Sequence, residues 1–198
     1  MNTGRLESFS DGVIAVAATL LVLNITPPKL SPHESLVHGL LHQWPNYAAY
    51  AVSFVTIGII WMNHHAMLSR LRVADHVILM LNLVLLLWIA LLPFATSLLA
   101  AFLREGHGQH LAAAVYAGSF LAMSLSFTAL NRHILLKKPH MLEVELGFER
   151  RRAILSRSLT GLVPYAVALA LAALSPYATL AVCAAIAVFY ALPVSRGE

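Results

Sequence analysis

Charge is scarce in this 198-residue chain: Asp, Glu, Lys and Arg make up 11% of it, against about 25% in an average soluble domain. Cysteine is scarcer still. The single Cys183 excludes a disulfide framework and a cysteine-based metal site, and within an apolar stretch it reads as a small packing residue. What fills the chain is hydrocarbon, at 59% or about 117 residues, where a soluble domain carries roughly 45–50%. A helix that crosses a bilayer takes roughly 20 mostly apolar residues, so five or six crossings fit and little is left for a globular extension. The composition excludes an ordinary soluble domain and predicts one all-α integral membrane domain over residues 1–198.

Long apolar windows fall at about 5–25, 47–69, 74–102, 110–133, 153–174 and 177–193, which predicts six transmembrane helices. Breakers lie between them. Thr26-Pro27-Pro28 ends the first, Pro45 precedes the second, Arg70 to Asp75 separates the second from the third, and Ser175-Pro176 makes the last two a tight hairpin. Asp11 interrupts the first apolar stretch, and no clear cleavage site follows it, so it is expected to remain as a span rather than a signal peptide.

The formal charge of +4 resolves into an orientation. With the N-terminus cytoplasmic, eleven basic residues fall inside (Arg5, Arg70, Arg72, Arg132, Lys137, Lys138, Arg150, Arg151, Arg152, Arg157 and Arg196) and only Lys29 and Arg104 fall outside. This bias places both termini in the cytoplasm. It also removes the case for a nucleic-acid partner, since Arg150 to Arg152 then sit at the lipid headgroups of the bilayer. In the outer loop, Ser31-Pro32-His33-Glu34 has the form of a capping box, and Leu36, Val37, Leu40, Leu41 and Trp44 recur at helical spacing, predicting an amphipathic helix over 32–44 at the outer interface. Its histidines, His33, His38 and His42, read as solvated loop residues.

The first span holds residues that lipid disfavours. Its continuous apolar run is only Gly12 to Ile25, preceded by Arg5, Glu7, Ser8, Ser10 and Asp11, and a carboxylate at a membrane helix centre costs about 2.5–3.5 kcal/mol on insertion scales. Asp11 is therefore expected to be sheathed by protein or water. At 100° per residue, Val16, Leu20 and Leu23 share a stripe with Thr19 beside it, while Asp11 points elsewhere. Trp61, Asn63, His64 and His65 in the second span lie at comparable depth and are natural partners for Asp11. In the third span Asn82, Thr96 and Ser97 read as interhelical hydrogen-bonding residues, and Pro93 frees a backbone carbonyl.

An enzyme is not expected. His64-His65 has no acidic residue close in sequence, and adjacent helical residues point about 100° apart, unlike the i, i+4 pairs of a zinc site. A phosphate loop, a nucleophile elbow and a carbonyl selectivity filter are all missing from the sequence. No internal repeat favours a secondary transporter.

The string Arg5-Leu6-Glu7-Ser8-Phe9-Ser10-Asp11-Gly12-Val13-Ile14-Ala15, with Thr19-Leu20-Leu21, resembles the opening of the transmembrane protein 175 family of potassium channels in its prokaryotic branch. Trp61-Met62-Asn63-His64 and Leu81-Asn82-Leu83 followed by Leu92-Pro93-Phe94 are similar to the same family. The resemblance covers the first three spans well and the last three in number and hydropathy. It implies a six-span subunit of a homotetramer, multi-pass in the plasma membrane, whose first helix lines a pore narrowed by apolar side chains. Carried over by position, the constriction falls on Val16, with Leu20 and Leu23 further along the pore and Thr19 matching a threonine implicated in selectivity. Val16 is smaller than the usual Ile or Leu, which leaves Leu20, one turn outward, as the alternative neck. Arg5, Phe9, Ser10, Asp11, Trp61 and His64 match the family's intracellular packing network. The implied function is a leak-type, potassium-permeable cation channel needing no cofactor beyond the permeant ion. A secondary transporter, a proton-conducting channel and a membrane-embedded metalloenzyme are the alternatives.

Overall fold

A computed structural model describes residues 3–30, 33–143 and 146–192. Helix α1 (Thr3–Leu20) buries Leu6, Ser10, Ile14 and Ala17, a spacing of four, four and three that keeps one stripe against the protein. It tightens into a 3-10 turn at Leu21–Asn24. After the outer loop come α2 (Leu36–His42) and α3 (Trp44–Leu68), with Pro45 in its first turn, where a missing N–H costs nothing. Helix α4 (His76–Phe102) runs through Pro93, and α5 (Gln109–Arg132) follows a turn built on Gly106 and Gly108 at φ 73° and 71°, a left-handed backbone that favours glycine. A π-helical turn at His133–Lys137 extends α5. Helices α6 (Phe148–Thr160) and α7 (Leu162–Ala172) meet at Gly161, and α8 (Pro176–Ala191) is capped by Ser175, whose hydroxyl accepts from the Ala178 N–H. The predicted last hairpin thus turns at Ser175-Pro176.

By length and composition, five helical stretches can cross a membrane: 3–24, 44–68, 76–102, 109–137 and 148–172. The stretch expected at 177–193 forms a shorter apolar helix of 16 residues, about 24 Å long. The fifth stretch begins at Phe148 rather than 153, because the polar run Glu149 to Arg152 is itself helical.

Helices α4 and α5 form the centre. Helices α1 and α3 pack on α4, α7 packs on α5, and α8 packs on α3, α5 and α7. Leu85, Ile89, Leu92 and Leu99 of α4 and Tyr116 and Phe120 of α5 are fully buried. The rings of Tyr116 and Phe120 meet edge to face at 4.8 Å between centroids. The α3–α4 and α5–α6 connections pair at one end of the bundle through an antiparallel bridge between Leu71 and Leu142, with Arg72 N donating to Met141 O at 2.9 Å and Glu143 N to Arg70 O at 2.8 Å. Basic loop residues are thereby gathered at that end.

The outer helix is shorter than predicted. Ser31 and Pro32 lie outside the described residues; the cap is Ser35, whose hydroxyl accepts from His38 N at 3.2 Å. Gly39 lets this helix lie against the loop, since a Cβ there would come within 3.1 Å of Cβ of the rigid Pro28 ring.

Asp75 caps α4 by accepting from Ile78 N at 2.8 Å, and its other oxygen lies 3.5 Å from His133 and 3.7 Å from Lys138. The Ile78 N–H first, then His133 and Lys138, hold its carboxyl below the ordinary value of 3.8. A depressed folded-state pKa contributes stability above the unfolded value, and that contribution is lost as pH falls through the folded one. Asp75→Ala is expected to cost about 1 kcal/mol at pH 7. Thermal melts in detergent check this: the gap from the parent should narrow as pH falls below about 4, and a gap that is the same at pH 7 and pH 3 would show that the carboxylate charge is not its source.

Candidate pore-lining helix and its anchoring network

One face of α1 is fastened to its neighbours through polar side chains where an apolar helix would use packing alone. The Ser10 hydroxyl donates to Leu6 O at 2.8 Å and accepts from Asn82 Nδ2 of α4 at 2.9 Å. Asn82 Oδ1 lies 2.7 Å from His64 Nε2 of α3, and because an amide oxygen only accepts, His64 is the donor. Ser10, Asn82 and His64 are each fully buried. A single asparagine therefore joins three helices, and in a water-poor interior its two ends have no other partners to turn to.

Asp11 lies one residue beyond Ser10, partly exposed, and accepts from Trp61 Nε1 at 2.9 Å. Of the four residues expected as its partners, Trp61 makes the hydrogen bond. His64 belongs instead to the Asn82 network, and Asn63 donates back to Ile59 O of its own helix at 2.9 Å. His65 pairs with Glu7, Nδ1 to Oε1, at 2.7 Å. The divergence of adjacent helical residues separates the two histidines, sending His64 inward and His65 to the surface. Arg5 and Phe9 are exposed, Phe9 by 54%, and stand outside this network within the chain.

The opposite face of α1 is bare. Val16 is 57% exposed, Leu20 42% and Leu23 67%, and Thr19 is exposed beside them. The Thr19 hydroxyl donates to Val16 O at 2.9 Å, which commits its proton and leaves the oxygen with acceptor capacity. The stripe identified from helical spacing is thus uncovered within a single chain, and the buried stripe supplies the contacts to α3 and α4.

At the other end of α1, Asn24 Nδ2 donates to Pro93 O at 3.1 Å, and Asn46 Nδ2 donates to Asn24 O at 3.0 Å. Sequence reasoning missed both. An asparagine closing an apolar run just before Pro27-Pro28 was the available signal. A third polar group joins α3, α4 and α5: Ser53 lies 2.8 Å from Thr96 and 3.0 Å from Tyr116, and Thr96 donates to Leu92 O at 2.7 Å. Counting protons gives one direction, from Tyr116 to Ser53 to Thr96 to the carbonyl. Thr96 does join helices as expected, whereas Ser97 is only half-buried.

Five apolar helices of crossing length, fastened to one another by buried polar groups, define an integral membrane protein. The family model described as "Endosomal/lysosomal potassium channel TMEM175" matches residues 5–93, the segment that contains α1 from its third residue, α3, the first two-thirds of α4 and the whole Ser10-Asn82-His64 network. A protein of Streptomyces collinus named as a potassium channel is 43% identical over 170 residues, covering 86% of this chain and 82% of its own. The crystal structure of a lysosomal potassium-selective channel TMEM175 homologue from Chamaesiphon minutus superimposes with a TM-score of 0.84 at 37% identity, covering 96% of both chains. The human endosomal/lysosomal proton channel TMEM175 is 32% identical over 176 residues, covering 85% of this chain and 35% of its own. The chain belongs to the TMEM175 family.

Proposed function

We propose that the protein is a potassium-permeable, leak-type cation channel whose pore is lined by the bare face of α1 in a homotetramer. The observation that carries this reading is the two-faced first helix, fastened by Leu6, Ser10, Ile14 and Ala17 on one side and leaving Val16, Leu20 and Leu23 uncovered on the other. Four copies of that face around an axis enclose an apolar neck at Val16 or Leu20. Such a neck passes ions only while it holds water, so its radius and wetting set conduction. Thr19, with its free acceptor oxygen, offers the neck a ring of oxygens for a partly dehydrated cation. The six-span topology takes α8 as the last crossing, and the basic loops paired at one end of the bundle support cytoplasmic termini. The proposed location is the plasma membrane of a prokaryote.

Reconstitution into liposomes under a potassium gradient tests this. Passive, voltage-driven potassium flux exceeding sodium flux is expected, and its absence would sink the channel reading. Proton conduction is the second reading, favoured by the name of the human relative. A pH-sensitive dye in liposomes given the potassium carrier valinomycin separates the two, since the potassium diffusion potential then drives protons through a proton channel and shifts luminal pH, while a channel that passes potassium but not protons leaves it unchanged.

A further inference from the structure

Among the described residues, one group of side chains has the make-up of a metal-binding site: Glu7, Asp11 and His65, whose ligand atoms all lie within 4.8 Å of one another. Glu7 and Asp11 stand at i and i+4 on α1, which places both carboxylates on one face of the helix. His65 reaches them from α3, its Nδ1 2.7 Å from Glu7 Oε1. Asp11 is held by the Trp61 indole at one oxygen, leaving the second to bind, in the way outer partners orient metal-ligating carboxylates.

We propose that these three residues form a divalent transition-metal site that clamps α1 to α3. With the imidazole neutral, the donors carry a formal charge of −2, which a divalent cation balances. Two carboxylates and one imidazole suit zinc, cobalt or nickel, while magnesium and calcium favour all-oxygen shells. In a tetrahedral zinc site with bonds of about 2.0–2.2 Å, donors lie about 3.3 Å apart. The 2.7 Å between Glu7 and His65 must therefore widen while the wider separations, up to 4.8 Å, close, and the two side chains, 27% and 54% exposed, have room to do so. Water completes the shell. The α1 ligands lie about one and a half to two and a half turns from Val16 on the same helix, and neither Glu7 nor His65 belongs to the buried network. The clamp is consequently separable from folding.

The test is zinc binding to the purified full-length protein in detergent by isothermal titration calorimetry, a readout independent of conduction. One zinc per chain is expected, weakened at least tenfold by Glu7→Gln and by His65→Gln, while millimolar magnesium leaves it in place. The double variant His38→Gln with His42→Gln controls for the outer helix and is expected to bind as the parent does. Both Glu7 and His65 are partly exposed, so their variants are expected to fold, which unchanged melting curves check. No binding below 100 µM zinc, on the order of a weak surface contact, or binding that survives in both single variants, would overturn the proposal. In liposomes that conduct, zinc added to the α1 N-terminal side should slow flux in the parent and not in Glu7→Gln.

Discussion

Replacing Asn82 with Leu, a side chain of similar size, is expected to destabilise the protein by about 2 kcal/mol or more. The reason is the asymmetry between a hydrogen bond made and a partner abandoned. Asn82 Nδ2 and Oδ1 serve Ser10 and His64 at 2.9 and 2.7 Å, and all three residues are fully buried. Ser10 keeps its own bond to Leu6 O, so the larger share of the loss falls on His64, whose Nδ1 already has no partner and whose Nε2 proton would then have none. Interhelical bonds in membrane proteins average about 0.6 kcal/mol in double-mutant cycles, and the expected effect exceeds that because one substitution strands groups on two other helices. Thermal melts in detergent measure it. A cycle with Ser10→Ala should return a coupling of about 1 kcal/mol, and a melting curve for Asn82→Leu that matches the parent would show the network to be dispensable. Asp11→Ala is the informative contrast. Its partner is the Trp61 indole of a half-exposed side chain, 43% accessible, which can bond water instead, so the loss is expected to be less than half that of Asn82→Leu.

Leu20→Asn and Val16→Asn are expected to raise cation flux about tenfold or more, at whichever ring is the neck, and to weaken the preference for potassium over sodium. A tenfold change in rate needs only about 1.4 kcal/mol from the barrier. A ring of four amides, each offering hydrogen bonds worth about 1 kcal/mol to water, supplies that by keeping the neck wet. Stability should barely change, since both positions are exposed within the chain and contribute little to its own core. Liposome flux compared across the two variants identifies the ring. If both conduct as the parent does, the bare face of α1 meets lipid or another helix and the pore lies elsewhere. If both fail to assemble, the face is a subunit contact.

Much of the architecture was legible in the residue order, because a lipid environment imposes a one-dimensional rule. Backbone groups must be satisfied within each crossing segment, so apolar runs and their breakers mark helices directly. Thr26-Pro27-Pro28, Arg70 to Asp75 and Ser175-Pro176 accordingly fall at helix ends in the structure. The two-faced character of α1 was legible for a related reason, as helical periodicity alone puts Val16, Leu20 and Leu23 on one stripe. Boundaries were less so. The extension of α5 through a π-helical turn to Lys137 and the start of α6 at Phe148 depend on loop pairing and helix propensity among charged residues, which hydropathy does not register.

Pairing among the polar residues was decided by the tertiary structure alone. Periodicity tells which residues share a face, but not the rotation and vertical offset of one helix against another, and a shift of one residue turns a side chain by about 100°. That rotation is what gives His64 to Asn82 and Ser10, leaves Trp61 for Asp11, and brings His65 to Glu7. The same geometry determines that the apolar stripe of α1, rather than its polar shoulder, is the face left without a partner in the single chain. Sequence could name the few polar residues that matter in this apolar protein, and only the packing of three helices could say which of them hold one another.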